Sequence, residues 1–348
     1  MQRQAVLATS LVLFGAVLLL PIGAAPAQAQ ASGPDADCPA TSEAENIAIV
    51  EAWYDAIDRG DIEGFDDVLA PRIIQHASDF ADARSLDEVK AGFGSFLVAF
   101  PGMTHQRAQL IADGDLVAAH VVATAPHQAP FQGIEPTGRD TSWAGLAIYR
   151  IECGRIAEHW SEVSALDRLQ QLGAVDALPF MQASDPAASA AVSASPAAPP
   201  AGGDCPDTSG AENAALVERW FTEVMSAGGL DGIGDILSDA FVDHHAMAWV
   251  PNAADDHGAA VAAWRTAFPD LTVEADFLMT DGDRVVARWT GRGTHEGAWN
   301  GIEASGNAVA WTGNTIVRIA CGRFAEAWSE SDALAFFLQI GAVQWPRR

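Results

Sequence analysis

The residues CGRIAEHWSE at 153–162 return as CGRFAEAWSE at 321–330. Slid against itself by 168 positions, the chain aligns FPGMTHQRAQ from 100 with FPDLTVEADF from 268, and runs without a gap to LGAV at 172–175 and IGAV at 340–343. Of those 76 aligned positions, 33 are identical, which marks an internal duplication. Upstream the register differs by one residue: CPATSEAENIAIVEAWYD from 38 matches CPDTSGAENAALVERWFT from 205. Each copy is far longer than a solenoid repeat and has the size of an independent domain, 38–180 and 205–345. The segment between them, 181–204, is Ala, Pro, Ser and Gly without apolar periodicity, and reads as a linker.

The duplication also organises the cysteines. Cys38 and Cys153 in the first copy correspond to Cys205 and Cys321 in the second. Four cysteines allow three pairings, and the repeat favours Cys38–Cys153 with Cys205–Cys321. Such bonds persist only in an oxidising compartment. The first thirty residues agree with that. An apolar core at 5–20, shorter than the ~20 residues a membrane span needs, is followed by small residues ending in Ala27-Gln28-Ala29. Residues 1–30 therefore read as a signal peptide, and the mature chain as periplasmic or secreted, free of the membrane once cleaved. The net charge of −27, from 46 acids and 19 bases, argues against nucleic-acid partners. No CxxC or CxH spacing points to a metal. Serine-hydrolase, phosphate-loop and dinucleotide motifs are absent.

Both copies open on a capping box, Ser42-x-x-Glu45 and Ser209-x-x-Glu212. Ile47, Val50, Trp53 and Ile57 then fall on one helical face, as do Val217, Trp220, Phe221 and Val224. Shorter helices are expected at 62–69, 86–99, 231–237 and 256–267. Beyond FPG and FPD the period becomes two: Val117, Ala119, Val121 and Ala123 alternate, as do Val285, Ala287 and Trp289. DGD at 113–115 and 281–283 suits a hairpin turn, and further strands follow at 141–151 and 155–163. Helices followed by an antiparallel sheet make each copy α+β.

Taken in order, FVDHHAM at 241–247, AFPDLTVE at 267–274, GTHEGAWNGIEASG at 293–306 and GRFAEAWSESDALAFFLQIG at 322–341 resemble the SnoaL-like polyketide cyclase (ester cyclase) family. The first copy carries the same frame in IIQHAS, AFPGMTHQ, FQGIEPTG and GRIAEHWSEVSALDRLQQLG. The resemblance implies the nuclear transport factor 2-like fold: two tandem cones, each a curved antiparallel sheet wrapped by helices around an apolar pocket. It implies acid–base chemistry without a cofactor on a hydrophobic carbonyl compound, of the intramolecular aldol type. It also implies His295 and its counterpart His127 as pocket histidines, with Asp243 beside His244 and with His76 in the first copy. The family's acid on the strand after the pocket histidine is missing from both TSWAGLAIYRI and AVAWTGNTIVRI. Asp243 or Glu326 would then have to serve as base. Trp143, Trp160, Trp311 and Trp328 are candidate aromatic walls, Asp332 follows Trp328 at the family's spacing, and Tyr54 occupies the first-helix position suited to a pocket hydroxyl. A small apolar ligand is the expected partner. The alternatives are a binding protein without turnover, or a module in which one copy pairs with the other.

Overall fold

The computed structural model describes residues 38, 40–77, 82–176, 178, 208–244 and 257–344. The expected signal peptide, the linker and Cys205 lie outside the described residues.

Copy 1 begins with α1 (Glu43–Arg59), started by the Ser42–Glu45 capping box and stopped by Gly60 at φ 66°. It buries Val50, Trp53, Tyr54 and Ile57. A short helix α2 (Phe65–Val68) leads into β1 (Leu69–Ala77), then α3 (Leu86–Ala99), β2 (Thr104–Asp113), β3 (Leu116–Pro126), β4 (Asp140–Glu152), β5 (Arg155–Val163) and α4 (Ala165–Leu172). Copy 2 repeats this order. Helix α5 (Gly210–Arg219) continues as a π-helical stretch, Trp220–Ser226, and a 3-10 turn, Leu230–Gly232, precedes α6 (Ile233–Ile236). There follow β6 (Leu237–Asp243), α7 (His257–Ala267), β7 (Thr272–Asp281), β8 (Arg284–Thr294), β9 (Ala308–Ala320), β10 (Arg323–Ser331) and α8 (Ala333–Gln339).

The strand orders are β1-β5-β4-β3-β2 and β6-β10-β9-β8-β7. One expectation is corrected here. The sheets are mixed, because β1 runs parallel to β5 and β6 parallel to β10. Leu69 and Leu237, expected as helix ends, are the first residues of those added strands. Their helices shrink to one turn because the next apolar residues, Ile73 among them, are buried by sheet pairing. The repeated Cys-Gly forms the β4–β5 and β9–β10 turns, with φ of 52° and 72° at Cys153-Gly154 and 53° and 70° at Cys321-Gly322. Two consecutive positive φ values are what a hairpin turn of the right twist requires. Cys38, Cys153 and Cys321 are disulfide-bonded.

Each sheet is buried on both faces. In β3, Val117, Ala119, Val121 and Ala123 point into the copy-1 core, whereas Ala118 faces away from it. Ala118, Ile111, Leu146 and Ile148 pack against Met279, Val286, Ile316 and Trp328 of copy 2. The two sheets therefore share an apolar seam. Polar groups fix it: Arg288 donates to Glu162, Thr312 Oγ1 donates to Glu162 at 2.6 Å, Ser164 Oγ donates to Glu330 at 2.7 Å, and Asn314 Nδ2 donates to the Leu146 carbonyl at 2.7 Å. Both Arg288 and Glu162 are buried, so this ion pair is taken out of water; Glu162 Oε1 accepts from both Arg288 and Thr312, while Oε2 has no partner. Burial pushes the Glu162 carboxyl up to about 7 against the pull of Arg288.

Candidate functional site

Copy 1 holds a cavity of about 70 Å³ between its sheet and helices α1 and α3. Its walls are largely apolar and aromatic: Trp53 and Tyr54 from α1, Phe93 and Phe96 from α3, and Trp143 from β4. Apolar walls with a few polar groups are the usual form of a small-molecule site.

Those polar groups come from one row of the sheet. Gln75 on β1 lies opposite His159 on β5, and His159 lies opposite Tyr149 on β4. Opposite residues project to the same face, and all three line the cavity. His159 is 4% exposed, and neither of its ring nitrogens has a hydrogen-bond partner. Burial, and secondarily the nearby His76, push its pKa down to about 3, so the ring is neutral. Gln75 is 4% exposed as well, and its Oε1 is unpartnered. The Tyr149 hydroxyl donates to Tyr54 Oη at 2.8 Å. Burial pushes Tyr54 up to about 12 and Tyr149 well above the usual phenol value, so both keep their protons. A phenol that accepts one bond retains its own O–H for another partner, which leaves Tyr54 able to donate to a ligand.

His105, on β2, completes the wall. Its Nδ1 is 2.6 Å from Asp58 Oδ1, and Asp58 Oδ2 is 3.5 Å from Arg107 Nη2. A carboxylate at Nδ1 holds the imidazole in the tautomer whose Nε2 carries the lone pair, the arrangement of an oriented base.

The expected site residues separate into three groups. Tyr54 and Trp143 line the cavity. His127 and His295 are buried clamps of the loops after β3 and β8. Each accepts at Nδ1 from a backbone N–H at 3.2 Å, of Thr137 and Ser305 respectively, and each stacks on a phenylalanine, Phe100 or Phe268, at 5.1 Å. Burial holds both below the usual histidine value. The expected site residues of the repeated phrase, Glu158, Trp160, Glu326 and Trp328, face the other way. Glu158 meets His76 Nε2 at 3.1 Å, and Glu326 meets His244 Nε2 at 2.8 Å and Arg318 Nε at 2.8 Å. His76 stacks on Trp160 at 5.8 Å, and His244 on Trp328 at 4.6 Å. Trp160 touches Phe277 of the other copy at 4.9 Å, and Trp328 belongs to the seam. Asp332 caps α8 by accepting from the Ala335 N–H at 2.9 Å. Asp243 ends β6, opposite Ala327.

Copy 2 keeps only one polar residue, Asp243, in this row. Gln75, His159 and Tyr149 are matched by Asp243, Ala327 and Val317, while Tyr54, Asp58 and His105 are matched by Phe221, Met225 and Val273. Its interior is instead filled with rings. Trp264, Trp299 and Phe336 stand where copy 1 has Phe96, Phe131 and Arg168, with Trp264 4.7 Å from Trp299 and 5.5 Å from Trp311. Trp289 replaces Val121 and lies over Gly313, where any Cβ would collide with its indole. In copy 1 the buried Arg168 guanidinium sits 4.9 Å from the Trp143 ring, a cation–π contact beneath the cavity.

The chain belongs to the SnoaL-like polyketide cyclase family: the family model matches residues 47–172 and 215–340, once per copy. Each copy is thus an α+β domain of the nuclear transport factor 2-like type. Solved structures similar to it include AclR from Streptomyces galilaeus, 31% identical over 40% of this chain and 87% of that one, with a TM-score of 0.37. TsrD from Streptomyces laurentii is 25% identical over 38% and 98%, TM-score 0.36, and IdmH from Streptomyces antibioticus is 29% identical over 37% and 98%, TM-score 0.34. No curated protein matches the chain.

His159, Gln75, Tyr149 and the His105–Asp58 pair are the site residues that motif reading passed over. One signal was present. Within CGRIAEHWSE and CGRFAEAWSE the copies agree at Glu158 and Trp160 and differ at His159, and period-two alternation puts that difference on the opposite face.

Proposed function

We propose that copy 1 is the working half of the chain. It binds a small, largely apolar carbonyl compound and moves a proton on it. His105, oriented by Asp58, takes the proton from the carbon beside the carbonyl, and the Tyr54 hydroxyl donates to the carbonyl oxygen as negative charge develops there. The observation that carries this reading is the 2.6 Å His105–Asp58 contact in the wall of an apolar cavity. In a site shielded from water, such an oriented imidazole is a competent base near neutral pH. The leader-like segment 1–30 and the disulfide-bonded cysteines support an exported protein. No helix among the described residues is long and apolar enough to cross a membrane.

One observation favours a second reading, binding without turnover: among the described residues no Asp or Glu lines the cavity. Deuterium exchange separates the two. Acetophenone and cyclohexanone in D₂O, followed by proton NMR, report removal of the hydrogen beside the carbonyl. Accelerated exchange by the wild type, lost in both His105→Gln and Asp58→Asn, supports proton transfer. Saturable binding of these ketones with exchange no faster than in buffer leaves the binding reading in its place.

A further inference from the structure

The cavity wall contains polar atoms that the proposed proton transfer does not use. The two ring nitrogens of His159 and the Oε1 of Gln75 lie next to each other in the β1–β5 register, more than nine-tenths buried and without partners. Buried polar groups in folded proteins are almost always hydrogen-bonded, and an exception facing a cavity points to what the cavity receives. We infer that Gln75 and His159 form a polar bracket that selects an uncharged, single-ring ligand bearing a group that both donates and accepts hydrogen bonds. This rests on the reading that the copy-1 cavity is the working site.

The chemistry follows from the atoms. A neutral imidazole offers one N–H donor and one nitrogen acceptor, and Gln75 Oε1 offers an acceptor only. A lone carbonyl satisfies the donor and leaves both acceptors bare. A hydroxyl donates to Gln75 Oε1 while its oxygen accepts from the imidazole N–H. Among the described residues no Arg or Lys lines the cavity, so a carboxylate would enter a largely apolar site with no cation in hydrogen-bonding contact and opposite an amide oxygen. Size sets the remaining limit. About 70 Å³ is under half of the ~150 Å³ engineered cavity that admits benzene, so the enclosed space takes no more than part of one small ring, the remainder of which lies at the mouth.

Phenol, toluene and benzoate test this, being close in size and differing in polar character. Each is titrated into the full-length protein and followed by ligand-observed NMR. Phenol is expected to bind at least about tenfold more tightly than toluene, the factor for roughly one added hydrogen bond, and benzoate no better than toluene. His159→Leu and Gln75→Leu, independent of each other, should each reduce that preference and leave toluene affinity within about twofold. Val121→Trp, which transplants the residue that fills copy 2, should abolish binding of both neutral compounds. Equal binding of phenol and toluene, or a preference surviving both leucine variants, overturns the bracket and leaves the cavity intact as a site. No binding by either neutral compound, or binding indifferent to Val121→Trp, overturns the copy-1 reading and the bracket with it.

Discussion

Replacing His159 by leucine should change the acid limb of the stability curve more than its height. In the folded chain the imidazole stays neutral down to about pH 3, whereas in the unfolded chain it takes a proton near 6.5. Between those values the unfolded state binds the extra proton, so stability rises with pH across the window and is lost as pH falls through it. Each unit of displacement corresponds to about 1.4 kcal/mol, so the full window from 6.5 to 3 removes about 5 kcal/mol. That is comparable with the whole net stability of many domains. Leucine carries no proton in either state and removes the penalty. It also removes a buried polar side chain without partners, worth about 1–3 kcal/mol at neutral pH. The variant should therefore unfold at higher urea than the wild type at pH 7, and the gap should widen steadily towards pH 4. The carboxylates that titrate over the same range are common to both proteins and cancel in the difference. Urea midpoints at pH 4, 5, 6, 7 and 8 provide the measurement. A gap independent of pH would show that His159 can be protonated in the folded state, and the neutral, water-excluded row would be wrong.

Other outcomes follow from the same packing. Arg288→Leu strands the Glu162 carboxyl in the seam and should cost about 3–5 kcal/mol, whereas the double variant Arg288→Leu/Glu162→Leu should recover most of it; additive losses in thermal unfolding would show that the pair is not coupled. Trp289→Val should open copy 2 at a cost of about 2–4 kcal/mol, and it should not create a preference for phenol over toluene there, because Ala327 supplies no imidazole. Asp58→Asn should slow ketone exchange about 100-fold at pH 7 with little change in ketone affinity, read by NMR exchange rates and titration side by side.

The sequence made much of the frame legible, for identifiable reasons. Capping boxes, the period-two run through Val117–Ala123 and the Cys-Gly turns are local signals, and each lies where local chemistry puts it. The edge strands β1 and β6 were not legible. LAPRIIQHA has no clean alternation, and what makes it a strand is a parallel partner about eighty residues away, Gln75 against His159. The site was obscured by a related cause. Glu158, Trp160, Glu326 and Trp328 stand out because they recur, but Trp160 and Trp328 pack in the seam between the copies, and Glu158 and Glu326 pair with His76 and His244 of their own copies. Tyr54 and Trp143 were reached because they mark an apolar wall in any cone of this kind. His105 was invisible as a partner of Asp58, since 47 residues and three elements separate them.

A duplicated chain that keeps its seam can let its interiors diverge. Ala118, Leu146 and Ile148 form an apolar face on the back of the copy-1 sheet, and copy 2 covers that face whatever its own interior holds. Selection on the seam therefore preserves the recurrent phrase, while the concave faces are released from it. Copy 2 used that freedom to exchange polar side chains for apolar ones, Phe221 for Tyr54, Val273 for His105, Val317 for Tyr149 and Ala327 for His159, and to fill space with Trp289 in place of Val121. Each exchange removes a polar group from the interior or fills space, and together they favour stability over binding. Copy 1 kept the opposite balance, with unpartnered His159 and Gln75 atoms and an open cavity, and both carry a stability cost that only a ligand can offset. It is this difference between the copies, rather than their likeness, that supports the proposal of copy 1 as the working half.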